Sequence, residues 1–204
     1  MEIGHLGGCI IKDNYPQFGR VDVGTWAPQV WDNIITTYSP KSMVDVGCGA
    51  GHSLNYFISK GLDSIGVEGY LPAIESSIVK DKIKIHDYAD SEFIPERKFD
   101  LAWCCEFVEH VDEQYLHNFM KTLDKCDLVA MTHAVPGQPG HHHVNCQVAE
   151  YWIDIFMQYK FEFLEEYSLS LRTLLPNWDN NTDVVPNGGH VKNTLMVFKK
   201  LIRK

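Results

Sequence analysis

The chain has 204 residues, 45% hydrophobic and 22% charged, which suits one soluble domain with a full core; no apolar run approaches the roughly 20 residues of a membrane-spanning helix. Its 27 acidic against 18 basic residues give a formal net charge of −9, which repels a polyphosphate backbone and counts against nucleic acid as a partner. The six cysteines include no C-x-x-C pair, and the first residues, MEIGHLGGCIIKDN, lack the basic flank and apolar block of a secretory signal, so free thiols and a cytoplasmic location are expected.

The first clear rhythm is helical. Trp26, Val30, Trp31, Ile34, Ile35 and Tyr38 recur at helical spacing until Ser39-Pro40 ends the run. Short apolar runs follow, each reading as a buried strand: SMVDV (42–46), SIGVE (64–68), KIKIHD (82–87), FDLAWCC (99–105) and DLVAMTH (127–133). Between them lie the helix-length stretches AGHSLNYFISKG, LPAIESSIVK and DEQYLHNFMKTLDK. After a loop rich in Gly, Pro and His comes the helix-like VAEYWIDIFMQYK, then strand-like FEFLEEYSLSL (161–171) and NTLMVFKK (193–200), expected to pair antiparallel. The alternation predicts an α/β, Rossmann-like, open and mostly parallel sheet with helices on both faces and a C-terminal antiparallel strand. Residues 1–204 read as one domain, with the N-terminal helix inside residues 1–39.

The stretch MVDVGCGAGHS places Gly47, Gly49 and Gly51 directly after the first strand, where an open parallel sheet binds its ligand. Glycine allows positive φ and lets a ligand lie on bare backbone. A dinucleotide turn needs a small residue three places after its second glycine, but His52 or Leu54 stands there, depending on register. Asp45, inside the motif, would repel a pyrophosphate and attract an ammonium group. Glu68, closing the second strand, suits both hydroxyls of a ribose. The ligand implied carries a ribose and a cationic amino-acid part, without phosphate.

S-adenosylmethionine has those parts, and from about residue 40 onward the chain resembles the class I S-adenosylmethionine-dependent methyltransferases. VDVGCGAG is similar to that family's first motif, VEGY to its ribose-binding acid, HDYAD to its adenine-side loop, and FDLAWCCEFVEHV to its fourth strand and the helix start after it. The resemblance implies that the backbone of Gly47, Cys48 and Gly49 lines the methionine part, with Asp45 in contact and Glu68 holding the ribose. It further implies Tyr70 flanking the adenine, Asp87 accepting from its exocyclic amine with Tyr88 beside it, and Cys105 and Glu106 near the sulfonium. The irregular YPQFGRVDVGTW (15–26) is expected to be a lid over the bound cofactor.

EFVEH sets Glu106, Glu109 and His110 at i, i+3 and i+4, one face of a helix if a helix begins there. Two carboxylates and an imidazole at that spacing suit a divalent ion. Some relatives use E-x-x-E-H for a metal that binds the acceptor hydroxyl, and others carry the same pentapeptide without one. The loop AVPGQPGHHHVN adds His141, His142 and His143, held in a restricted path by its prolines and glycines. A hydroxyl acceptor has a high pKa and benefits from a base or a metal. The expected activity is therefore O-methylation of a small molecule or sugar, with His110 or one of His141, His142 and His143 as base. The alternatives are a metal-assisted 2′-O-methyltransferase of an RNA terminus, a non-catalytic S-adenosylmethionine-binding subunit, and an NAD-dependent oxidoreductase.

Overall fold

The structure, a computed structural model, describes residues 5–6, 9–10, 23–177 and 187–201. Most of the segment expected to act as a lid lies outside them. His5–Leu6 pairs antiparallel with Cys9–Ile10. Seven further strands form one sheet: β1 (Ser42–Val46), β2 (Asp63–Glu68), β3 (Ile83–Ile85), β4 (Phe99–Cys104), β5 (Cys126–Met131), β6 (Phe161–Phe163) and β7 (Met196–Lys200). Their spatial order is β3-β2-β1-β4-β5-β7-β6. The pairs from β3 to β5 are parallel, and β7 runs antiparallel to both β5 and β6.

Strand alternation builds two cores, one on each face of the sheet. Val44, Val46, Cys104, Val129, Met131 and Phe198 join Phe119, Met120 and Leu123 of α4 (Leu116–Leu123) and Trp152 and Phe156 of α5 (Ala149–Gln158). On the other face, Met43, Leu101, Trp103, Leu128 and Ala130 meet Val30, Trp31 and Ile34 of α1 (Pro28–Tyr38) and Leu54 and Phe57 of α2 (His52–Ser59). Trp31, 1% exposed, stands edge-on to Trp103 and belongs to this core. Pro28 starts α1 where no N–H is needed, and Ser39 ends it in the left-handed conformation, its N–H returning to the Ile35 carbonyl.

One expected strand is mostly helix. FEFLEEYSLSL contributes Phe161–Phe163 to the sheet, whereas Glu165–Thr173 forms α6. Leu164, Ser168, Leu171 and Leu175 recur at helical spacing, and Glu165 and Glu166 in the first turn complement the helix dipole. The expected antiparallel ending survives because Phe161 to Phe163 still pair with β7. Two short helices complete the set, α3 (Leu71–Ser76) and α7 (Gly189–Thr194).

Connections run outward from β1 to β2 and β3, then return to β4 on β1's other side, so the crevice opens between the carboxyl ends of β1 and β4. The turn after β1 and the segment from Cys105 to His110 meet there.

Candidate active site

After Val46 the chain turns through Gly47, Gly49 and Gly51 at φ +70°, +52° and +75°, and α2 begins at His52. The three glycines differ in what a side chain would meet. A Cβ on Gly47 would stand 2.3 Å from the Phe107 ring, and one on Gly51 2.7 Å from Val79, but one on Gly49 meets nothing within 4 Å. Packing within the chain requires the outer two glycines. At the middle one the backbone faces open space, the floor on which a ligand can lie.

Two buried acids flank this floor. Asp45 is 2% exposed and accepts from the Ser53 hydroxyl at 2.5 Å. Glu68 is 5% exposed and accepts from the Gly49 and Tyr70 backbone N–H groups, both at 2.8 Å, which fixes its carboxylate at the tip of β2. Neither acid forms an ion pair with Lys or Arg among the described residues. Burial pushes Asp45 up to about 7 despite the Ser53 bond, and the Glu68 charge adds to the rise. Burial raises Glu68 as well, opposed by its backbone donors. Two buried acids without a basic partner beside a side-chain-free floor fit a cation that presents hydroxyls, which would draw Asp45 into its charged form.

This yields a pH prediction. Asp45 holds its proton in the ligand-free fold up to about 7, whereas an unfolded carboxyl releases it near 4, so its contribution to ligand-free stability declines as pH rises from about 4 to 7 and is flat above. A cationic ligand favours the carboxylate and must expel that proton below pH 7. Affinity for such a ligand is expected to fall by up to roughly tenfold per pH unit below 7 and to level off above it. Calorimetric titrations at pH 6, 7 and 8 measure the slope, and Asp45→Asn is expected to flatten it.

The adenine-side residues divide. Tyr70 is half-buried just before α3, and Asp87 turns its loop by accepting from the Ala89 N–H at 2.8 Å. Tyr88 points inward: it is 2% exposed, its hydroxyl is 2.8 Å from the Thr122 hydroxyl, and its ring stands edge-on to Phe107 and Phe119. Its side chain is core, which corrects the expectation that it lies beside an adenine. Cys48 likewise turns its thiol inward, toward Gly66, and leaves its backbone to the turn.

At the end of β4, Cys105 is half-buried and receives a 3.7 Å contact from the Thr132 hydroxyl. Glu106 adopts φ +50°, a left-handed conformation that costs a side-chain-bearing residue about 1–2 kcal/mol. Thr132 holds it: the Glu106 N–H donates to Thr132 Oγ1, and that hydroxyl lies 2.8 Å from Glu106 Oε1. Glu106 Oε2 also stands 3.8 Å from His190 Nδ1 on α7. Val108–His110 is then a single 3-10 turn and not the start of an α-helix. The α-helix expected to hold Glu106, Glu109 and His110 on one face does not form, although the Glu106 carboxylate, bonded to Thr132, still lies against the Glu109 carboxyl.

A different trio converges. Glu109, His110 and His143 place ligand-capable atoms within 4.8 Å of one another. The histidine loop is clamped to the turn by the Val144 and Asn145 N–H groups, which donate to the Glu109 carbonyl at 2.9 and 3.1 Å. Burial, then the Glu106 charge, raises the Glu109 carboxyl well above the usual range. Burial lowers His110 to about 4, with His143 adding to the fall. His141 and His142 are half-buried in the same loop, the latter at φ +52°. His133 is instead 3% exposed beside Trp152 and sits apart from this trio.

Residues 25–165 match the family model of a methyltransferase domain, more than half of the chain. This protein belongs to the class I S-adenosylmethionine-dependent methyltransferases. The methyltransferase is 36% identical over 84 residues to the chloroplastic tocopherol O-methyltransferase of Arabidopsis thaliana, covering 36% of this chain and 24% of that enzyme. It is 35% identical over 86 residues to a probable tocopherol O-methyltransferase of Oryza sativa subsp. japonica, so the match spans about a quarter of the length of these plant relatives. Among solved structures, the methyltransferase domain of a bacterial CtHen1 superposes with a TM-score of 0.58 at 15% identity, covering 88% of this chain and all of that one. An S-adenosylmethionine-dependent methyltransferase from Archaeoglobus fulgidus gives 0.55 at 19% identity, covering 85% and 92%. Those likenesses establish the fold, and the family supplies the cofactor, S-adenosylmethionine, in place of the dinucleotide alternative.

Sequence reading missed Thr132 and His190 in the methyltransferase. Thr132 sits directly after β5, at the sheet edge that carries function, which is a usable signal. His190 follows a long polar segment and carries none.

Proposed function

We propose that this methyltransferase transfers the methyl group of S-adenosylmethionine to an oxygen of a small molecule or sugar. The observation that carries the reading is the gathering of imidazoles and a buried carboxylate beside the crevice, formed by the turn after β4 and the histidine loop. The local identity to plant O-methyltransferases supports it. S-adenosylmethionine supplies an activated methyl on a sulfonium, so the protein's task is to hold the acceptor in line and to exclude water.

In this reading Glu68 holds the ribose, and the backbone of Gly47, Cys48 and Gly49, with Asp45, receives the amino-acid part. Tyr70 and Asp87 bound the adenine side, while Cys105 and Glu106 lie near the transferring carbon. The acceptor hydroxyl loses its proton to an imidazole of the cluster as the carbon–oxygen bond forms and the carbon–sulfur bond breaks. His110, lowered to about 4, is a weak base, and His141, His142 and His143 of the loop are the other candidates for that proton.

Radiolabelled S-adenosylmethionine offered to separate pools of hydroxylated small molecules, free sugars and amines tests the acceptor class. Label is expected in a hydroxyl-bearing pool. With that acceptor, at least one of His110→Ala, His141→Ala, His142→Ala and His143→Ala is expected to lower kcat by about a hundredfold. Unaltered rates in all four, or label confined to amines, would rule the reading out.

A further inference from the structure

We propose that Ser53 is a positioning residue for the cofactor: its hydroxyl holds the Asp45 carboxyl in the charged form that receives the ammonium of S-adenosylmethionine. Strand alternation sends the Asp45 side chain to the same face of β1 as Met43, the face covered by Leu54 and Phe57 of α2. Gly51 fixes where α2 begins, because a Cβ there would strike Val79, and as a glycine it offers no side chain to the first turn. Ser53 is the second residue of that turn. Its Oγ stands 2.5 Å from Asp45 Oδ2, a bond that crosses from helix to strand.

Glu68 shows what Asp45 lacks. Two backbone N–H groups hold the Glu68 carboxylate, both at 2.8 Å. Asp45 is 2% exposed, and among the described residues Ser53 is the side chain that donates to it. A buried carboxylate that loses its donor reverts to the neutral acid, which has no charge to offer an ammonium.

The other groups that face Asp45 do not replace the hydroxyl. Burial pushes Asp45 up to about 7, the Ser53 bond is the chief influence holding it down, and the Leu54 N–H of α2 assists. Glu68, from β2, is a like charge that raises it. Cys48, from the turn, and Cys104, from β4, are thiols that burial holds well above their usual range, so they stay neutral. A hydrogen bond to a charged group is worth at least about tenfold in an equilibrium, so Ser53→Ala shifts the Asp45 ionisation upward by at least about one pH unit. The loss of affinity therefore depends on pH: roughly tenfold at pH 6, where the acid is mostly protonated, and about twofold at pH 8.

Calorimetry at both pH values compares S-adenosylhomocysteine with methylthioadenosine, which keeps the nucleoside and the sulfur but lacks the amino-acid part. Ser53→Ala is expected to lose S-adenosylhomocysteine affinity about fivefold more at pH 6 than at pH 8. Its affinity for methylthioadenosine is expected to hold at both, which shows an intact fold and nucleoside site. Ser53→Thr keeps the hydroxyl and is expected to restore the wild-type profile. The inference rests on the reading that Asp45 receives the amino-acid part, and Asp45→Asn tests that reading separately. A wild-type pH slope in Asp45→Asn would remove Asp45 from that place and the role of Ser53 with it. A flat slope in Asp45→Asn beside a wild-type profile in Ser53→Ala would overturn the role of Ser53 alone. So would an equal loss at both pH values, or for both ligands.

Discussion

Glu68→Ala is expected to weaken S-adenosylhomocysteine binding by about a hundredfold, the largest single-residue loss of affinity in this protein. Hydrogen bonds to a charged group contribute about 1.5–3 kcal/mol each, and a ribose offers two hydroxyls, so about 3 kcal/mol is the lower end. The carboxylate also orders the floor of the site, because one oxygen holds the Gly49 N–H and the other the Tyr70 N–H. Glu68→Gln separates the two contributions: it keeps one acceptor oxygen and the side-chain shape while removing the charge. Its affinity is expected to fall between wild type and Glu68→Ala. Calorimetry on all three proteins, with melting curves to verify folding, measures both; wild-type affinity in Glu68→Ala would remove the ribose from this position.

The second large effect is a contrast between two alanines in one turn. Gly47→Ala drives a Cβ into the Phe107 ring at 2.3 to 2.8 Å while φ is held at +70°. Left-handed strain of about 1–2 kcal/mol and overpacking of about 1–3 kcal/mol together predict a loss near 3 kcal/mol. In a chain of this size that is a melting point lowered by roughly 6–12 °C. Gly49→Ala carries the strain alone, at φ +52°, because nothing in the protein lies within 4 Å of the added carbon. Its melting point is expected to drop by only a few degrees, roughly 2–4 °C per kcal/mol. The new methyl instead occupies the space reserved for the ligand, and cofactor binding is expected to be abolished. Comparable instability in both variants, with cofactor binding retained in Gly49→Ala, would mean the ligand lies elsewhere.

What could be read beforehand follows the physics that is local in sequence. The β1 turn was legible because glycine at positive φ, a preceding acid and a strand fit within eleven residues. Strand alternation likewise gave the parallel centre of the sheet and the antiparallel ending at β7. Residues 165–173 were misread because Phe161, Phe163, Leu164 and Leu169 look strand-like until the inward-facing set of half-buried Leu164 with buried Ser168, Leu171 and Leu175 is recognised at a spacing of three to four. The helix considered for EFVEH fails for a different reason: Glu106 takes a left-handed backbone held by Thr132, and no sequence pattern announces a kink stabilised from 26 residues away. The partnership of His143 with Glu109 and His110 is equally long-range and rests on the clamp between loop and turn. Tyr88 sits in a polar-looking HDYAD, yet its ring faces Phe119 and its hydroxyl faces Thr122, both supplied by α4.

The account rests on Asp45 and Glu68 as buried acids without a basic partner around bare backbone, and a side-by-side titration tests that most directly. The folded wild-type protein is titrated in a calorimeter with S-adenosylmethionine and, separately, with NAD at pH 7.5. One saturable site for the sulfonium compound and no heat from the dinucleotide is the predicted result. Equal binding of both, or heat from NAD alone, would contradict it.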